Sequence, residues 1–512
     1  MQQISALKQP IDRTALALMF CLAVLIALLL GNGDHSIPKV RDFSWQNRQI
    51  GAEDTAFILT FSRPMDQASV ESNIKIEPPL LGKISWAGRR MAYTPLTPVP
   101  YGLEYKLKLE GARDKTAAVE YYGGNKATNT IEPFIGNFQS RDRAFVYIGV
   151  GGEETGRLIL FNLSQNKKIV LTPPDLLVTE SRPYPNGNKI LFTAIPQSLQ
   201  KQKGINQQLY TVTTGIYFPP VNEPTRPPAP AGQMQLILDN QDYNILKFDL
   251  SADGKIIIVQ RINRKTPTDI GLWMIPQPDS SNNNPNITSA PQSSMQRLDK
   301  AASGEFKITP DSGSIAILQG QGVGISALDS GAQSWEFLPK FGRVMNFSKN
   351  GTAAAMVKFN TNYTRTLFHV TNQGKEQQLI ETPGSIMDCQ YSPQGETLYC
   401  LLTELIEGEK FQEKPYLAII DIKSSKIRPL LIFPDQRSMQ MSLSADGEAL
   451  LFDSLVTSPP KSDLALRTKD GQDITTGRLW VLPLAKIKVE QPDILPQPEQ
   501  LPLNGYHPVW LP

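Results

Sequence analysis

Histidine is scarce: His35, His369 and His507 are the only three in 512 residues. Metal sites and general acid–base chemistry both lean on imidazole, so the enzymatic options narrow before any motif is considered. Cysteine is equally sparse, at Cys21, Cys389 and Cys400. That excludes a disulfide scaffold and a paired CxxC zinc site. A basic block is missing too. The 51 Lys and Arg are offset by 49 Asp and Glu, for a net charge of +2, and nothing points to nucleic acid. No G-x-S-x-G elbow occurs, so a serine hydrolase of that type is closed off. Gly320, Gly322 and Gly324 are loosely spaced, but no helix pattern follows them to receive a phosphate. No catalytic residue, metal ligand or cofactor is therefore assigned, and the binding residues cannot be named from this sequence.

What is present is turn chemistry. Proline (41) and glycine (36) favour many turns and a β-rich chain over long helices. The length exceeds what one core usually serves, which argues for two or three domains.

Residues Thr14 to Leu30 form an uncharged apolar run. As a helix it spans roughly 25 Å at about 1.5 Å per residue, close to the roughly 30 Å hydrocarbon core. Lys8 and Arg13 precede it and Asp34 follows. This predicts a cytoplasmic tail over 1–13, a transmembrane anchor over 14–31, and export of everything beyond. Gly31-Asn32-Gly33 leaves a cleaved signal peptide open as the rival.

From Pro38 the period is two. Leu103-Glu104-Tyr105-Lys106-Leu107-Lys108-Leu109 alternates apolar and charged, the pattern of a half-buried antiparallel strand. Thr55 to Phe61 and Asn73 to Glu77 are strand-like, and proline or glycine breaks separate them. A β-sandwich over 38–128 is expected. The series Phe61-Ser62-Arg63-Pro64-Met65-Asp66, Ser69-Val70-Glu71, Ile74 to Pro78, Tyr93-Thr94-Pro95 and Tyr101 to Tyr105 resembles the bacterial Ig-like domain of S-layer and other envelope proteins. That resemblance implies a spacer or adhesive module with no catalytic residues. Pro64-Met65-Asp66 itself reads as a turn between strands.

The remainder repeats one unit: an apolar strand, a turn ending in glycine, another apolar strand. The turns end at Gly187, Gly254, Gly313, Gly351, Gly395 and Gly447. Apolar pairs hold fixed offsets around them, such as Phe248 and Leu250 before a turn and Ile257 and Val259 after it. The shorter intervals fit four-stranded blades, and the longer ones carry insertions. The Pro- and Asn-rich stretches Phe218 to Gly232 and Gln277 to Gln296 are such insertions, with no apolar periodicity. The repeats resemble the WD40-like units of TolB-type propellers, over roughly 141–512. The resemblance implies a seven-bladed β-propeller and says nothing of a site. Ala144 to Val150 is expected to be the outer strand of the last blade, joining the two ends of the ring. Cys389 and Cys400 fall at core-facing offsets, which fits buried free cysteines. Their near-opposite positions leave a disulfide open in an oxidising compartment.

The whole reads as all-β behind an N-terminal helix. The expected function is a non-enzymatic, single-pass envelope scaffold or binding protein of a bacterial cell membrane. Its bulk would be periplasmic or extracellular, and its partner another envelope protein or a glycan. The alternative is a hydrolase- or lyase-type enzyme with its site in the propeller channel. A carboxylate or histidine cluster there would favour the enzyme. A sensor signalling through a partner of the short tail is the third reading.

Overall fold

In a computed structural model the chain is all-β apart from an N-terminal helix and short helical turns. The structure describes residues 10–31, 37–115, 130–199, 206–218, 227–277, 295–298, 304–320, 322–328, 335–406, 412–433, 439–460, 466–468, 471–485, 487–491 and 496–512. The inserts around 219–226 and 278–294, and His35, lie outside the described residues. The chain divides into two compact units. One holds Met1–Arg48, Ala56–Leu96 and Glu104–Phe138; the other holds Gln49–Thr55, Thr97–Leu103 and Gln139–Pro512.

The helix α1 (Pro10–Gly31) has 22 residues. Its side chains are described over 14–26, and no stretch of described residues is long and apolar enough to cross a membrane.

The first unit contains two facing sheets. Val40–Phe43, Phe57–Phe61, Arg90–Pro95 and Gly82–Ala87 form one, in that spatial order; Phe134–Ser140, Glu104–Leu109 and Ile74–Glu77 lie in the other. Alternation decides which side chains meet. In Glu104–Leu109, Tyr105, Leu107 and Leu109 point inward and are buried. Phe43 meets Phe134 and Phe138 of the other sheet through edge-on ring contacts, and Trp45 bridges Phe57 to Phe138 in the same way. Pro64-Met65-Asp66 is more than a turn. Asp66 caps the helix α2 (Gln67–Asn73), its carboxylate accepting from the Ser69 N–H at 3.2 Å.

The second unit is a ring of seven four-stranded blades, a β-propeller. Five blades are continuous in sequence and begin at Leu176, Tyr243, Phe306, Arg343 and Ile386. The other two share a seven-stranded sheet in the order Lys167–Val170, Leu158–Asn162, Ala144–Gly149, Glu499–Trp510, Asp473–Pro483, Ala449–Ser458, Met441–Leu443. No sheet closes on itself; the ring is closed by packing. The second strand of each blade is buried on both faces, which is why segments such as Ile190-Leu191-Phe192 or Ile256 to Val259 are apolar without a break. Ile257 and Val259 pack against the preceding blade, and Ile258 against the following one. Seven buried clusters fill the seven spaces between neighbouring blades.

Two sequence expectations need correction. The first concerns closure. Ala144–Gly149 does bond to the C-terminal strand, with Phe145 opposite Trp510 and Gly149 opposite Gly505. It is not the outer strand of the last blade. Glu499–Trp510 changes partner half-way: Glu499 and Asn504 pair with Asp473–Pro483, while Gly505 to Trp510 pair with Ala144–Gly149. The seventh blade thus has its inner strand from the C-terminal end and three strands from the N-terminal end of the ring, Ala144–Gly149 being second. The second correction concerns a turn. In every other turn the glycine takes positive φ and bonds to the residue three before it, but at Thr309 to Gly313 Ser312 does both, with φ 59°. The repeat is therefore in phase with Ser312, one residue before Gly313.

Cys389 and Cys400, for which the sequence leaves free thiols and a disulfide both open, are joined in a disulfide. They are directly opposite each other on adjacent antiparallel strands, with Cα atoms 4.1 Å apart.

Candidate functional site

The feature with the capacity to take a ligand is the cavity on the propeller axis, about 1570 Å³. Seven inner strands line it, one from each blade, including Tyr506 to Val509 from the C-terminal strand. Five of these strands carry a register shift, at Thr179, Leu246, Met345, Met387 and between Tyr506 and Val509. An extra residue at such a bulge bends the strand and re-aims its side chains.

Counting from the turn residue brings out a pattern that the sequence reading missed. The residue five positions earlier is polar in all six units: Arg182, Asp249, Lys307, Asn346, Gln390 and Ser442. It sits between two core-facing residues and so points the opposite way, into the channel. The signal was present in the sequence, but aligning the third unit on Gly313 instead of Ser312 puts Ile308 in this place and hides it.

Four of these six side chains reach the next blade. The Asp249 carboxylate accepts from the Ile308 N–H at 3.0 Å, and its other oxygen accepts from the Leu250 N–H at 3.0 Å. Lys307 Nζ donates to the Met345 carbonyl at 3.0 Å. The Gln390 amide donates to the Met441 carbonyl at 2.9 Å and accepts from the Leu443 N–H at 2.8 Å. Ser442 Oγ accepts from the Trp510 N–H at 3.1 Å. The inner strands are not paired with one another in a sheet, so their edge groups would otherwise face the cavity unsatisfied; these side chains supply the missing partners.

The carboxylates two residues further from the turn are also engaged. Glu305 takes both guanidinium arms of Arg343, at 3.0 and 3.3 Å, and Glu180 is 2.9 Å from Arg182. Asp388 accepts from the Gln390 amide at 2.9 Å. Against Glu180, Asp249, Glu305 and Asp388 the wall carries Arg182, Lys247, Lys307, Arg343, Arg365 and Arg467. Burial holds the Lys247 and Lys307 ammonium groups below their ordinary proton affinity, and nearby carboxylates only partly offset this.

On the opposite wall, Asp453 is fully buried. One of its oxygens accepts from the Gln440 N–H at 2.8 Å and the other from the His507 N–H at 2.9 Å. It thereby ties the inner strands of the sixth and seventh blades. Burial raises its carboxyl to about 6 despite these donors. His507 lines the channel at φ 52°, where the register of its strand slips by one, with its ring 4.7 Å from that of Tyr506. His369 is elsewhere: it bonds to the Tyr391 hydroxyl at 3.0 Å, and burial lowers its proton affinity. The two described histidines are not brought together. Among the described residues no group of three His, Cys, Asp or Glu is placed to hold a metal ion. Gly322 and Gly324 lie in a strand that hairpins back on Ser314–Gln319.

No family model matches the chain. No curated protein matches it either. Solved structures do. TolB from Acinetobacter baumannii is 12% identical, with 71% of this chain and 81% of that one covered and a TM-score of 0.38. A structure of prolyl endopeptidases is 11% identical, covering 87% of this chain and 56% of that one, with a TM-score of 0.39. Hydrazine synthase of Kuenenia stuttgartiensis is 13% identical, covering 61% and 80%, with a TM-score of 0.33. At such identities and scores the chemistry of the channel has to be read from its own residues.

Proposed function

We propose that the chain is a membrane-anchored binding or scaffold protein of a bacterial envelope, without catalytic chemistry of its own. The sandwich is read as an Ig-like spacer, and the propeller as the part presented to an envelope protein or glycan. The observation that carries this reading is the use made of the channel's polar side chains. Asp249, Gln390 and Ser442 are committed to joining blades, and Glu305 and Glu180 to arginines. A general acid, base or nucleophile must be within reach of a substrate, and groups already bonded on both sides serve position instead. The anchor reading rests on the sequence: the uncharged apolar run Thr14 to Leu30 spans roughly 25 Å as a helix at about 1.5 Å per residue, although no helix among the described residues is long and apolar enough to cross a membrane. Leu18, Met19 and Phe20 in this run are more than half exposed, an apolar surface that lipid would cover. The Cys389–Cys400 disulfide fits an oxidising compartment outside the cytoplasm.

The enzyme reading keeps one observation in its favour: a strained histidine, His507, in the channel wall beside a buried carboxylate. Crosslinking the intact chain in cells, together with a hydrolase and lyase screen of the purified full-length protein, separates the two. The binding reading expects a defined crosslinked envelope component and no turnover. Turnover lost in H507A with the fold intact would overturn it.

A further inference from the structure

The channel's charges do not cancel locally. Among the described residues Glu180 is matched by Arg182 and Glu305 by Arg343. Asp249 is held by two backbone N–H groups and Asp388 by the Gln390 amide. No carboxylate lies within ion-pair distance of Lys247 or Lys307, which stand on the inner strands of adjacent blades. Lys247 has no hydrogen-bond acceptor among the described residues; its ammonium sits 5.3 Å over the Phe306 ring, which steadies the stem. Lys307 spends one N–H on the Met345 carbonyl, and a protonated lysine has three. Both side chains are half-buried, and the side left open is the cavity.

We propose that Lys247 and Lys307 form an oxyanion site in the channel wall, taking a carboxylate or phosphate group of a ligand that enters the cavity. An ammonium removed from bulk water without a counter-ion is costly, and a bound anion is the partner that the wall itself does not provide. Lysine suits this role because its three donors rotate to meet an anion of any orientation, whereas Arg182 and Arg343 are paired with Glu180 and Glu305 and Arg365 donates to the Pro383 carbonyl. At about 1570 Å³ the cavity is larger than the roughly 300–1,000 Å³ of a small-molecule pocket, so the anion is one group of a larger ligand. Burial already holds the proton affinity of both lysines down. An arriving anion restores it. The site stands on this geometry alone and does not depend on the scaffold reading: loss of a crosslinked partner would leave it untouched.

The test is calorimetric titration of the full-length protein in detergent with inorganic pyrophosphate and, separately, with succinate. Ionic strength and pH are held constant. Saturable binding of at least one probe is expected. K247M and K307M each weaken it at least tenfold, and K423M, at an exposed position, leaves it unchanged. Binding of pyrophosphate alone assigns a phosphoryl group; binding of succinate, alone or as well, assigns carboxylate recognition. If K307M unfolds through loss of the Met345 bond, K307Q, which can still donate to that carbonyl without the charge, carries the test. No saturable binding of either probe, or binding that the folded lysine variants leave unchanged, overturns the site.

Discussion

At the scale of single residues, Asp453 has the most to lose. Its two oxygens hold backbone N–H groups on two different inner strands, at Gln440 and His507, and no water reaches it. Replacing it by alanine leaves two buried donors without acceptors, at about 1–3 kcal/mol each. Its titration has a definite sign. Burial raises the folded value to about 6, from 3.8. The folded state therefore binds a proton more tightly than the unfolded chain. Its contribution to stability is full below the unfolded value and is lost as pH rises through the folded one. Wild-type stability, measured against D453N by urea unfolding, should fall by about 1–3 kcal/mol between pH 4 and pH 7. Equal differences at the two pH values would remove Asp453 as the source.

At the scale of strands, the C-terminal element decides the ring. Glu499–Trp510 serves the sixth blade with its first half and the seventh with its second. Deleting Gly505 to Pro512 removes an inner strand and, with it, the acceptors and donors that Ala144–Gly149 uses on that side. It also uncovers Phe145, which packs edge-on against Trp510 at 5.5 Å. Unfolding should then lose its single sharp transition across the propeller, as followed by tryptophan fluorescence, whereas deleting residues 278–294 should leave it. A truncated chain that melts like the full one would show that the seam is not what holds the ring. Much of this fold was legible. The second strands announce themselves as unbroken apolar runs because they are covered on both faces, and the turns by glycine at positive φ. What local pattern could not show is which distant strand a segment pairs with. Tyr506 to Trp510 looks like any first strand of a blade, and only the partner at Phe145 tells which blade it begins. Ser312 escaped for a similar reason: Gly313 beside it is the better local candidate for the turn. That one-residue error also masked the polar position from which the channel wall is built. The Lys247 and Lys307 arrangement was out of reach, since it depends on which carboxylates are already occupied by arginines and backbone.

At the scale of the whole molecule, the proposed anchor and the proposed envelope location can be tested independently, and both on one sample. Cys21 is a free, exposed cysteine on α1, while Cys389 and Cys400 are joined between two strands of the fifth blade. In the cytoplasm, thiol buffers hold such a pair reduced; outside it, a pair already opposite in an antiparallel ladder oxidises readily. Protein taken from cells with its thiols trapped by acid, then denatured without reductant, should accept a maleimide at Cys21 only. After reduction it should accept three. On the proposed anchored topology the same protein should stay in the membrane pellet through carbonate washing, because leaving lipid would then expose side chains such as Leu16, Leu22 and Leu25 to water. Anchor and compartment can fail separately. A chain that washes free, with its N-terminus near Asp34, has been cleaved and exported without an anchor. A chain that stays in the pellet with three reactive thiols is anchored with its propeller in a reducing compartment, and the envelope-facing topology is then wrong.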